Sequence, residues 1–159
     1  MSAISYGKAQ SKDIVGIQQV AAESWRATYA NIFTEQFIQD FLADAYSAPS
    51  LARSVQDEQA CFVVAKVDEQ VIGFGHGGLS RLGAMLYRLY LLPAYWRQGV
   101  GGGLLSRVET WFKENQFTGY FCYVHSQNVV GKAFYQKQGF AHVADKDQEG
   151  EWCLWKSLT

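Results

Sequence analysis

The sequence predicts a mixed α/β fold in one domain spanning residues 1–159, and three observations carry that expectation. Strand-like runs alternate with amphipathic stretches along the whole chain, with no linker, repeat or low-complexity segment between them. An apolar strand near Leu89 runs into a glycine-rich turn, Gly99 to Gly103, and a helix begins at once. The 159 residues are 48% apolar at a net charge of −1, enough to bury one substantial core.

The elements follow in order. A short strand is expected near Ile4–Ala9, then a helix from about Asp13 to Ala30 and a second from about Thr34 to Leu42. A short helix falls at Pro49–Val55. Strands are expected at Ala60–Val67 and Gln70–Leu79, joined by a tight turn at Asp68-Glu69, and at Ala84–Leu92. Leu104, Leu105, Val108, Trp111 and Phe112 recur on one face of a helix spanning Gly101–Asn115. The strand Gly119–His125 comes next. Asn128 is a good N-cap for a helix to Gln138, with Val130, Ala133 and Phe134 as its apolar stripe and Gly139 at its end. Phe140–Asp145 and Glu151–Leu158 read as a closing hairpin.

Several function classes are excluded by composition. The lysines and arginines are scattered, so no basic face offers itself to nucleic acid. No apolar run approaches the ~20 residues of a membrane helix, and the N-terminus lacks a signal peptide's apolar region. Cys61, Cys122 and Cys153 are odd in number and far apart, as expected of free thiols in a reducing cytoplasm. No metal-ligand spacing emerges, and no cysteine has a plausible local histidine to activate it.

The turn from Arg97 to Gly103 is where chemistry enters. A helix start leaves its first N–H groups unpaired at the positive end of the helix dipole, so it attracts phosphate. Glycines let an anion approach the backbone closely. A P-loop would need a lysine after the glycines, but Leu104 and Leu105 stand there. A dinucleotide fingerprint would need glycine at 104. Gly73, Gly75 and Gly78 fit that spacing but run into further strand, so they read as bulges or close backbone packing.

Leu91-Leu92-Pro93 followed by Arg97, Gln98, Gly99, Val100, Gly101 resembles the pyrophosphate loop of the GCN5-related N-acetyltransferases. Trp96 stands where that family usually has Gln or Arg. A second segment, Asn128 to Phe140, is similar to the family pattern Asn-x-x-Ala-x-x-Phe-Tyr-x-Lys-x-Gly-Phe, with Gly131 in place of the alanine. A plain capped helix would explain the second segment alone; following the glycine loop in this order, the resemblance explains it better. It covers Tyr87 to Phe140 strongly and the remainder loosely.

The resemblance implies a mostly antiparallel, mixed sheet flanked by helices and splayed between its fourth and fifth strands. It implies acetyl-CoA as co-substrate, no metal, and direct attack by an amine through a tetrahedral intermediate. Amides from Arg97, Gln98, Gly99, Val100, Gly101, Gly102 and Gly103 would hold the pyrophosphate, and Leu89, Tyr90 and Leu91 would pair with the pantetheine. The Leu89 amide would donate to the thioester oxygen, and Tyr135 would protonate the leaving thiolate. Asn128 would support the cofactor arm or cap its helix. Taken without the motif, Tyr135 reads as a core aromatic.

The family's acidic base has no counterpart, since Met85 and Tyr87 occupy its positions. His76, His125 and Glu23 are substitutes, and a water chain or the neutral amine fraction also serves. Trp25 and Tyr29 lie one turn apart and either line an acceptor pocket, with Tyr87, or belong to the core. A diffuse likeness to bacterial polyamine acetyltransferases points to spermidine or spermine. Arg26, Arg81 and Arg88 suit an anionic acceptor equally. The expected partner is a small-molecule or peptide amine, and a homodimer stays open. The competing reading is a non-catalytic acyl-CoA sensor.

Overall fold

The computed structural model describes residues 3–159. Among the described residues, seven strands form one sheet in the order β1-β2-β3-β4-β5-β7-β6. They are β1 (Ser5–Lys8), β2 (Cys61–Val67), β3 (Gln70–Ser80), β4 (Gly83–Leu91), β5 (Gly119–His125), β6 (Ala141–His142) and β7 (Glu151–Ser157). The helices are α1 (Ile14–Tyr29), α2 (Glu35–Ala45), α3 (Ala48–Gln56), α4 (Val100–Glu114) and α5 (Val129–Lys137). Among the described residues, β4 and β5 are the one parallel pair, and they meet only at Met85↔Phe121 and Leu86↔Cys122. Beyond Leu86 the two strands part, which is the expected splay.

Two cores sandwich the sheet. On one face Leu104, Leu105, Val108 and Phe112 of α4 pack on Ala65, Ile72, Leu86, Tyr120 and Cys122. On the other, Ile17, Val20 and Ala21 of α1 meet Leu51, Phe62, Val64 and Phe74. The sheet glycines permit this spacing. A Cβ on Gly77 would lie 2.7 Å from Val108 and 2.9 Å from Phe112, so α4 could not sit as close to any larger residue. β3 also carries a register shift between His76 and Gly77, whose partners are Arg88 and Leu86. Tyr87 is thus the extra residue of a bulge in β4.

The expected helices are present with shifted ends. α1 is preceded by a 3₁₀ turn at Ser11–Asp13, α2 continues to Ala45, and α4 begins at Val100. Thr34 and Ser47 cap α2 and α3 through bonds from Phe37 N–H at 3.1 Å and Ser50 N–H at 3.2 Å. Two expectations need correction. The first strand of the closing hairpin does not run from Phe140 to Asp145: β6 holds only Ala141–His142, and Ala144–Lys146 forms a 3₁₀ turn. Asp147 Oδ1 accepts the Cys153 N–H at 2.7 Å, a donor that a longer β6 would have needed. Nor is the stripe on α5 buried as a whole, because Val130 is 47% exposed while Phe134 packs on the core.

Candidate active site

Strand parting leaves a row of backbone groups without a neighbour. Leu92 N–H donates to Ile72 O at 2.8 Å, and groups alternate along a strand, so Tyr90 and Arg88 also face β3. Leu89 and Leu91 therefore turn their amides and carbonyls towards the opening that β5 has left. The Leu91 carbonyl there accepts the Trp96 indole N–H at 3.2 Å. The residue that departs from the family pattern thus ties the turn to the open edge.

From Trp96 the chain enters α4 through two left-handed residues, Arg97 at φ 63° and Gly99 at φ 84°. The first helical bond runs from Gly103 N–H to Gly99 O at 3.0 Å, leaving the Val100, Gly101 and Gly102 amides without intrahelical partners. Gly101 has a second duty, since a Cβ there would lie 2.9 Å from Phe134 of α5. A Cβ on Gly103 would collide with the Tyr6 hydroxyl, so that glycine serves packing against β1.

At the start of α5, Asn128 Oδ1 accepts the Gly131 N–H at 2.8 Å, and its Nδ2 reaches the Tyr29 hydroxyl at 3.5 Å. A Cβ on Gly131 would lie 2.8 Å from Asn128 Cγ, so a larger residue there would have to shift the capping side chain. Tyr135 sits edge-on to Phe134 and Phe140, with ring centroids 5.3 and 5.1 Å away. Burial, reinforced by Cys122 and Tyr29, holds its phenol well above the ordinary tyrosine value, so it stays protonated and able to donate at neutral pH. Tyr90 is raised in the same way by burial and by Tyr46 and Tyr29.

These parts surround a cavity of about 540 Å³ that passes through the opening between β4 and β5. Leu89, Tyr90, Leu91, Arg97, Gly99, Gly101, Gly102, Asn128 and Tyr135 line it, as do Tyr29 and Tyr87. Gln98, Val100 and Gly103 do not: Gln98 Nε2 donates to Ala94 O at 2.9 Å, and Val100 is buried in the core. Trp25 lies in an aromatic cluster, 4.2 Å from Phe41 by ring centroid, and is outside the wall. Sequence reasoning assigned no role to Ser24 and Thr28, which face the cavity from α1, or to Lys137 of α5. Their spacing offers a signal in hindsight: Ser24 and Thr28 are four apart, and Lys137 falls within the quoted Asn128–Phe140 segment.

The three substitute bases are not brought to this cavity. His76 is buried behind β4, stacked on Phe62, and lines a separate cleft of about 260 Å³ with Arg53 and Asp57. Burial, and secondarily the Arg88 charge, push its imidazole down to about 4. His125 is half-buried beside Tyr29 and Phe33, and its Nδ1 accepts the Gln127 N–H at 3.1 Å. Glu23 is exposed on α1. The Tyr87 hydroxyl is engaged by the Leu79 carbonyl. Of the three arginines, Arg26 pairs with Glu35 at 2.9 Å, Arg81 is exposed, and only Arg88 lines the cavity.

An unpaired strand edge, free helix-start amides and a cavity joining them fit a long thiol cofactor with a pyrophosphate. Comparison with known proteins agrees. Residues 21–140 match the model of the acetyltransferase (GNAT) family, and the chain belongs to it. It is 35% identical over 148 residues to a spermidine N(1)-acetyltransferase of Thermoplasma acidophilum, covering 91% of each chain. It is 28% identical over 151 residues to the uncharacterized N-acetyltransferase YuaI of Bacillus subtilis, covering 92% of this chain and 85% of that one. The crystal structure of PaiA N-acetyltransferase from Thermoplasma acidophilum in complex with coenzyme A superposes with a TM-score of 0.91 at 32% identity, over 98% of this chain and 99% of that one. The ribosomal-protein-S18-alanine N-acetyltransferase of Escherichia coli shares the fold, with a TM-score of 0.71 at 14% identity over 99% and 95% of the two chains. The protein is an acetyl-CoA-dependent N-acetyltransferase. Among the described residues no cluster suited to a metal ion is found, and no helix is long and apolar enough to cross a membrane.

Proposed function

We propose that the protein acetylates a primary amine of a small molecule, with a polyamine of the spermidine type as the leading acceptor. The observation that supports this most is the cavity through the strand opening, with free amides at one end and a tyrosine-lined chamber at the other. The spermidine acetyltransferase relative, matched over nearly its whole length, supports the acceptor class.

Acetyl-CoA would supply an activated acyl group. The Gly101 and Gly102 amides, with Arg97 and Lys137 nearby, would bind its phosphates, and the Leu89–Leu91 edge would align the pantetheine. The Leu89 amide would donate to the acyl oxygen as negative charge develops there. Tyr135 would give its phenolic proton to the departing sulfur and recover one from solvent. No Asp, Glu or His lines the cavity among the described residues, so the acceptor would enter as its neutral fraction, and the proton on the attacking nitrogen would pass to water once the new bond forms. Arg88, with no carboxylate partner among the described residues, would favour that neutral form by repulsion. The three free cysteines suit a reducing cytoplasm.

The test is release of free thiol from acetyl-CoA by the purified protein with spermidine, a simple alkylamine, or a peptide bearing a free N-terminus. The expected result is amine-dependent release, fastest with spermidine. Transfer to the peptide with none to spermidine would replace this reading.

A further inference from the structure

Just outside the wall of the acceptor end, past Tyr29 and Tyr123, stands a carboxylate that the reaction does not use. Glu151 opens β7 and lies opposite His125, the last residue of β5, on the sheet face that carries α1. Its backbone is engaged, with Gln148 N–H donating to Glu151 O at 3.0 Å. Its carboxylate makes no ion pair or hydrogen bond among the described residues, although the residue is half-buried. A half-buried carboxylate with no protein partner is open to a cation from outside the chain.

The surroundings suit one. Tyr29 and Phe33 stand 5.5 Å apart by ring centroid, and His125 meets them edge-on at 6.1 and 5.2 Å. Glu151 is close enough to Tyr29 and Tyr123, both lining the cavity, for its charge to act on their phenols. Ring faces beside a carboxylate attract an alkylammonium group. At the other end of the chamber stands Arg88, stacked 4.7 Å over the Tyr46 ring with Nη1 unpartnered. The chamber is therefore negative at its rim and positive beside the strand opening. Three residues of β5 separate Cys122, where pairing with β4 ends, from His125, a run of about 10 Å.

We propose that Glu151, with the Tyr29 and Phe33 rings, forms a subsite for the distal ammonium of a linear di- or polyamine, while Arg88 keeps that second charge away from the reacting end. This rests on the amine-acetyltransferase reading above and deepens it. One amino group reaches the strand opening while the other is held at the rim, and a monoamine gains nothing from the rim.

The experiment compares hexamethylenediamine with hexylamine, which share a carbon chain and differ by one charge. In Glu151→Gln the KM for the diamine should rise about tenfold. Its kcat, the KM for acetyl-CoA and the KM for hexylamine should stay within about twofold. Phe33→Leu should shift the diamine in the same direction and serves as the second variant. Equal shifts for both amines, or none for the diamine, would overturn the subsite. Calorimetric titration of each amine into protein saturated with coenzyme A separates this from turnover. If the wild type acetylates no amine, the functional reading falls, and the titration still decides: selective diamine binding lost in Glu151→Gln supports the subsite, and equal binding overturns it.

Discussion

The Trp96 indole N–H donates to the Leu91 carbonyl at 3.2 Å, across the edge of β4 that no strand covers. This bond joins the two halves of the proposed cofactor site, because Leu91 belongs to the open strand and Trp96 leads into the left-handed route to α4. Trp96→Phe keeps the ring and deletes the donor. Acetyl-CoA affinity should fall roughly three- to tenfold, as expected for one lost hydrogen bond, with kcat nearly unchanged. Calorimetry with steady-state kinetics checks both numbers.

Tyr135 is the second point of test. Its phenol is held protonated by burial, and its ring packs on Phe134 and Phe140. Tyr135→Phe preserves that packing and removes the proton. Turnover should drop by about 10²–10⁴-fold, with acetyl-CoA affinity little altered. In the wild type, the rate should show no basic-side decline from this group below pH 10, since its value is raised and not lowered. Near-normal turnover in the variant would remove Tyr135 from the reaction.

His76 makes a prediction about acid stability. In the folded chain its imidazole titrates at about 4, against 6.5 for an unperturbed histidine. As pH falls through that window, the unfolded chain takes up a proton that the folded chain refuses. Stability is therefore fully present above pH 6.5 and is lost towards pH 4, by up to about 3 kcal/mol. His76→Phe keeps the stack on Phe62 and abolishes the titration. Urea melts at both pH values should show the wild-type loss and its absence in the variant.

A buried ion pair anchors the start of α1 to the sheet. Lys66 Nζ lies 2.7 Å from Asp13 Oδ1, and Asp13 is only 4% exposed. Lys66→Met strands the carboxylate with the Gln10 N–H as its remaining donor, at 2.9 Å. The expected cost is about 3–5 kcal/mol, the penalty of an uncompensated buried charge. Lys66→Met combined with Asp13→Asn should recover part of it. Equal stability of the single and double variants would contradict this account.

Local chemistry was legible along the chain. Apolar periodicity gave the helix on Leu104, Leu105, Val108 and Phe112, glycine gave the turn at Gly99, and Asn128 gave the cap of α5. Those depend on neighbours a few residues away, so a linear reading reaches them. The first strand of the closing hairpin is shorter than expected for the opposite reason: the Asp147 carboxylate reaches six residues ahead to Cys153 and takes the amide that a longer strand needed. The tertiary structure alone decided which polar residues share the cavity. His76 and Arg88 are register partners across β3 and β4, yet His76 stacks on Phe62 beside a separate cleft while Arg88 reaches the chamber. Glu151 and Tyr29 are 122 positions apart in sequence, and only the pairing of β5 with β7 and the packing of α1 bring them together. Such proximity depends on how the sheet parts and which faces the helices cover, and no short-range pattern encodes either.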